Sequence, residues 1–401
     1  MRKFMKNLTW LVVLAMTLAL LFSCQKEKPL PTGYAVVIGD REGVIADSLF
    51  KQKSGTEEYF SRLINTGTST NLILGEIYNY HSAIYLMFED LPLGSQIHSA
   101  TLKLTNKSID STLVQTSHPF TANFYLAEYK WENDQDPEQY IDQLPFNKLP
   151  FQTTTITPDT IDEVEIELDT LIVQEWVDTT SSQTNYGIWI DSPDADFLNN
   201  YYSIENQIFD SAPQLELVYT MIEDSEQKLD TSIFVATDDA FLLLNNEDDL
   251  NLNKDHIYIG KGFAFRSFIK FNLEAFDTTI HVNRSTLELT INKNNSVGST
   301  YNALDCIIYR VDTESWNKGE VNETPETSSY LGTLTDSTLT FDVTATVQAW
   351  LGTRYPNYGF LIRSLDESTI ISRISFYSTK TNEEFQPRLH IYYTLSPELE
   401  F

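Results

Sequence analysis

The chain has 401 residues, with 57 acidic against 27 basic side chains and a formal charge of −30. That balance excludes nucleic acid as a natural partner, because binding to phosphate rests on basic surface, and it argues against docking of the folded part on an anionic lipid surface. Hydrophobic residues make up 41 % and aromatics 12 %, so the chain can build cores and is not broadly disordered.

In chain order, Arg2, Lys3 and Lys6 precede an apolar run, Leu8 to Phe22, that is too short and too terminal for a typical membrane span. The run ends in Leu21-Phe22-Ser23-Cys24. It resembles a bacterial lipoprotein signal peptide over residues 1–23, which implies a lipidated Cys24 followed by a polar tether over 24–32. On that resemblance the protein is an outer-membrane lipoprotein, on the cell surface or the periplasmic face. The other cysteine, Cys306, sits in the apolar run "ALDCIIYRV" and reads as a small buried hydrophobe.

From there the chain repeats itself. "LILGE" from Leu72 matches "IYIGK" from Ile257. "SAIYLMFEDLPLGSQIHSATLKLT" from Ser82 matches "SFIKFNLEAFDTTIHVNRSTLELT" from Ser267 at the same offset. "LDTLIVQEWVDTTSSQTNYGIWIDS" from Leu168 echoes "FDVTATVQAWLGTRYPNYGFLIRS" from Phe341, and "PQLELVYT" from Pro213 echoes "PRLHIYYT" from Pro387. Order is kept, so the pattern predicts a duplicated domain, with one copy over 33–220, an acidic linker over 221–230 and a second copy over 231–395. The segments are short, alternating and rich in Ile, Phe, Tyr and Thr, which predicts strands. Val343, Val347, Trp350 and Leu351 are spaced for one helical face. The expected fold is all-β, with two tandem jelly-roll-type β-sandwich domains, each carrying a short packed helix.

The order "STLELTI", "ESWNKGEVNETPE", "FDVTATVQAWL", "PNYGFLI", "ISFYSTK", "PRLHIYY" resembles the DNRLRE domain. That family is similar to disaggregatase-related repeats and to an alginate-binding family of carbohydrate-binding modules. The resemblance covers about 230–395 well and about 33–220 more loosely. It implies a sandwich that binds or spaces and does not catalyse.

No catalytic motif stands out. The six histidines form no H-x-x-x-H, and there is no CxxC, G-x-S-x-G or phosphate loop, so no enzyme is expected. Asp248, Asp249 and Asp255, in "NNEDDLNLNKD", are oxygen-rich enough to suit a structural Ca²⁺. They lack EF-hand spacing, ordinary acidic loops are the favoured reading, and no cofactor is expected.

Duplication supplies a filter for ligand binding, because what both copies share serves the fold. Trp176 and Trp350, and Tyr186 and Tyr358, then read as packing, and Trp316 joins them. Strand parity puts Ile269, Phe271, Phe360, Ile362, Ile374, Phe376, Leu389 and Ile391 inward. It puts Lys270, Arg363, Arg373, Tyr377 and Arg388 outward, with Arg310 expected beside them. Counted over 231–401, the second part has 13 basic and 23 acidic residues, against 8 and 29 over 33–220, so this basic, aromatic set would suit a uronate polysaccharide such as alginate. The competing reading is scattered salt bridges with Glu288 and its neighbours. Trp131, in the divergent middle of copy one, is a candidate platform for a neutral sugar, against packing in a satellite core. The function expected is non-catalytic polysaccharide binding by a lipid-anchored envelope protein. Its rival is a structural or adhesion spacer that contacts other envelope proteins.

Overall fold

A computed structural model describes residues 46–50, 56–77, 79–107, 119–132, 137, 141–157, 163–193, 197–206, 209–223, 226–244, 250, 252–253, 255–274, 276, 280–297, 305–313 and 330–395. The expected signal peptide and tether, Cys24, Asp248, Asp249 and Trp316 lie outside the described residues.

The first half runs β1 (Ala46–Phe50), β2 (Thr56–Leu63), β3 (Asn71–Ile77), β4 (Tyr80–Met87), β5 (Gln96–Thr105) and β6 (Phe120–Leu126). It continues with β7 (Gln152–Ile156), β8 (Glu163–Glu167), helix α1 (Thr170–Val177), β9 (Ile188–Asp191), β10 (Phe197–Tyr202) and β11 (Gln214–Glu223). The second half runs β12 (Glu226–Val235), β13 (Asp238–Leu243), β14 (His256–Lys261), β15 (Phe263–Lys270), β16 (Ile280–Thr290) and β17 (Cys306–Arg310). It ends with β18 (Tyr330–Leu331), β19 (Thr333–Leu334), β20 (Thr338–Asp342), helix α2 (Thr344–Leu351), β21 (Phe360–Ser364), β22 (Ser372–Tyr377) and β23 (Arg388–Leu395). The fold is all-β, and every recorded strand pairing is antiparallel.

Two cores form between facing sheets. The first lies between the sheet β10-β3-β4-β9-β6-β7, with β13 added on β4, and the sheet β12-β11-β5-β8. It gathers Leu72, Ile84, Leu102, Phe124, Trp176, Ile190 and Leu215. The second lies among the sheets β1-β23-β16-β20-β19, β18-β17-β21-β15-β2 and β14-β22, and gathers Ile259, Ile269, Leu287, Phe341, Trp350, Ile362 and Leu389. Alternation in each strand sends every second side chain into these cores.

Strand pairing crosses the boundary drawn from the repeat. β1 and β2, from the expected first copy, pair with β23 and β15 around the second core. β12 and β13 run from residue 226 to residue 243, and they pair with β11 and β4 around the first. The expected linker over 221–230 is thus corrected. Its described residues belong to the hairpin β11–β12, whose ladder continues out to Glu223 and Glu226. Acidic composition suggested a solvated connector, but an edge ribbon can be equally polar because only its ladder must be paired.

A third buried cluster joins the two halves. Ile73, Tyr80, Leu198 and Phe241 pack with Tyr258, Phe265, Val297 and Ile371. The Asn71 side chain donates to the Thr369 carbonyl at 2.7 Å across the same seam.

The repeated phrase is scaffold in both places. Asn185 donates to the Phe88 carbonyl at 2.8 Å and accepts from Gly187 N at 3.0 Å. Asn357 does the same with Phe271 O at 2.7 Å and Gly359 N at 3.1 Å. Gly187 and Gly359 have φ of 88° and 98°, where a side chain is strained. A Cβ at Gly187 would collide with the Leu86 carbonyl oxygen, and one at Gly359 would lie 2.8 Å from the Ile269 carbonyl oxygen. In the helices, Gln174 Oε1 accepts from Ile97 N at 2.9 Å and Gln348 Oε1 from Val282 N at 2.6 Å. Each helix thereby satisfies a strand N–H that would otherwise be buried without a partner.

Candidate functional site

Three expected site residues share one sheet. Lys270 ends β15, Arg363 lies on β21 and Arg310 ends β17, and these strands are neighbours in β18-β17-β21-β15-β2. On the face turned away from the core, Phe268, Leu361 and Val311 form a small apolar cluster with Tyr309 and Tyr358 beside it. Arg363 and Arg266 flank it. Arg266 donates to both carboxylate oxygens of Glu367, at 2.9 and 2.6 Å, and Arg363 reaches the same carboxylate at 3.4 Å. Arg363 also donates to the Tyr309 hydroxyl at 3.3 Å. Two guanidiniums therefore share the Glu367 carboxylate, and Lys270 has the same parity on β15 as Arg266 and Phe268.

The rest of the expected set, Arg310 included, does not join that face. Arg310 is corrected: it falls on the inward parity of Ile308, its side chain is only 8 % exposed, and Asp312 holds it at 2.8 Å under the Tyr355 ring, 3.8 Å from the centroid. Arg373 is corrected too. It is buried, donates to the Tyr80 hydroxyl at 3.2 Å, and lies over the rings of Tyr80 and Tyr258. Its strand face points outward from the second core, but the first half covers that face. Tyr377 stacks on Phe385 with ring centroids 4.9 Å apart and meets His256 edge-on. Arg388 sits on the opposite sheet across from Glu288 and donates to the Glu384 carbonyl at 2.6 Å. Asp255 is exposed beside Lys380 at 3.5 Å, and no group of three or more metal-ligating side chains occurs among the described residues.

Trp131 is no sugar platform. It is 1 % exposed and packs edge-on against Trp189 at 5.6 Å. The reason is the divergent insert of copy one. Its described residues Tyr129, Trp131, Leu144 and Phe146 lie over the outward face of the first sheet, against Tyr85, Tyr125 and Trp189. The insert thus becomes a third layer.

That layer makes a feature the repeat-based filter missed. Between the insert and the loop before β9 lies a cleft of about 570 Å³, lined among others by Tyr125, Lys148, Leu149, Phe151, Gln183 and Tyr186. Tyr186 was expected to pack and instead is 36 % exposed. Its counterpart Tyr358 does pack, against the Phe268 cluster. Sharing a residue type between copies does not mean sharing its surroundings, and the length of the insert was the available signal.

Comparison with known proteins gives one family. Residues 231–393 match carbohydrate-binding module family 96. No curated protein matches the chain. A solved structure of the Macrobrachium rosenbergii nodavirus aligns over 85 % of this chain and 91 % of its own, at 9 % identity and a TM-score of 0.11, a likeness too low to carry an argument.

Proposed function

We propose that this protein binds polysaccharide without cleaving it. The observation that carries the reading is the match of residues 231–393 to a family of carbohydrate-binding modules. The ligand proposed for that half is an acidic, uronate-type glycan such as alginate. Support comes from the face that holds Arg266, Lys270 and Arg363 around Tyr309, with one carboxylate, Glu367, between two guanidiniums. Guanidinium groups pair with carboxylates in a planar, two-point fashion, and an aromatic ring beside them offers a surface for a sugar. The reading extends to a lipid-anchored envelope protein, supported by the N-terminal pattern that ends at Cys24. The anchor would hold the binding faces at the membrane.

The test is native electrophoresis of the full chain through gels that contain alginate or polygalacturonate. Retardation is expected, and it should weaken in Lys270→Gln and Arg363→Gln. Retardation by neutral glycans alone would overturn the uronate reading. No retardation by any glycan would overturn polysaccharide binding and favour the spacer role. Cys24→Ala should abolish incorporation of labelled palmitate and release the protein from the membrane fraction; labelling that survives the substitution would remove the anchor from the proposal.

A further inference from the structure

We infer that the first half carries its own binding cleft for a neutral glycan, chemically distinct from the basic face of the second half and independent of it. The cleft, of about 570 Å³, lies outside residues 231–393. Its size is within the range of ordinary small-ligand sites, roughly 300–1,000 Å³.

Its lining names the ligand class. Glu128 and Lys148 are the charged side chains among the lining residues, and they pair with each other. The cleft therefore offers no unbalanced charge to an anionic sugar, while the exposed Ser182, Gln183 and Thr184 supply amide and hydroxyl groups. A glutamine amide has two donor hydrogens and an acceptor oxygen, a match for adjacent sugar hydroxyls. Leu149, 93 % exposed, and Tyr186 supply apolar surface for the C–H face of a pyranose ring.

The cleft is also preformed, which lowers the ordering cost of binding. Phe151 N donates to the Phe124 carbonyl at 2.9 Å, and its ring packs on Phe124. The Tyr186 carbonyl accepts from the Tyr85 hydroxyl at 2.8 Å, and its neighbour Gly187 is fixed by Asn185. The Tyr186 ring thus projects from a rigid backbone. The second half has the same tyrosine, but there it packs on the Phe268 cluster.

The experiment is affinity electrophoresis and calorimetry of the full chain against soluble neutral polysaccharides (mixed-linkage glucan, galactomannan, arabinoxylan and dextran), with alginate in parallel. At least one neutral polymer should retard the wild type. Tyr186→Ala should weaken that binding about tenfold, Tyr186→Phe should keep it, and Arg363→Gln should leave it unchanged. Thermal melting checks that Tyr186→Ala stays folded. No binding to any neutral polymer, or binding insensitive to Tyr186→Ala, overturns the inference whatever alginate does. Loss of alginate binding alone bears only on the basic face.

Discussion

The Arg373 guanidinium lies 5.4 Å from the centroid of the Tyr80 ring and donates to its hydroxyl at 3.2 Å, across 293 positions of the chain. Burial raises the Tyr80 pKa to about 12 against the lowering effect of Arg373, so the phenol stays neutral and the pair is a charge-assisted hydrogen bond with a cation–π contact. Arg373→Ala would leave the Tyr80 hydroxyl buried without its donor. We expect a loss of about 2–4 kcal/mol, read from the midpoint of urea unfolding, with no change in glycan retardation. Arg373→Lys should recover only part of it, since ammonium lacks the planar stacking surface.

Gly187 and Gly359 give a matched pair of tests. Each sits at positive φ with a carbonyl oxygen where a Cβ would go. Gly187→Ala and Gly359→Ala should each cost about 1–3 kcal/mol, seen as a lower melting temperature. Replacing Gly94, also at positive φ but with open space around it, should cost less.

Asp239 makes stability depend on pH. Burial raises its carboxyl pKa from 3.8 to about 7, although Ile204 N donates to it at 2.8 Å. The folded state therefore holds a proton that the unfolded state releases near pH 4. This contribution is full below about pH 4 and is lost as pH rises through about 7. Its upper bound is about 4 kcal/mol, from ~1.4 kcal/mol per decade of proton affinity. Asp239→Asn should flatten this part of the stability profile between pH 4 and 8; an unchanged slope would remove Asp239 as its source.

The Cys306 thiol is buried, and that burial pushes its pKa up to about 12. A thiolate is the reactive form. In Cys24→Ala protein, a thiol reagent at pH 8 should therefore leave Cys306 unmodified until denaturant is added. Fast labelling under native conditions would show that this strand opens.

Much of the fold was legible from alternation alone. Ile269, Phe271, Phe360, Ile362, Ile374, Phe376, Leu389 and Ile391 all enter the second core, as parity required. The same parity misplaced Arg373, because alternation tells which face of a sheet a residue occupies and not what lies beyond that face. Trp131 took the satellite-core alternative rather than the platform, and Tyr186 was misassigned, for a related reason. The insert of copy one adds a layer with no counterpart among described residues of copy two, burying Trp131 and opening a cleft beside Tyr186. Arg266 and Glu367, which complete the basic face, went unnoticed because their meeting depends on a loop reaching back to a strand 101 positions away.

The crossing strands make the repeat boundary a poor place to cut the gene. A fragment that begins at residue 231 keeps the whole family match but lacks β2 beside β15 and β1 beside β23. It also carries β13 away from β4. Each lost neighbour leaves an open row of N–H and C=O groups, and such rows recruit strands from other molecules. Dimers formed by that fragment would report a missing strand, and a binding assay on it would measure a surface the intact chain does not present.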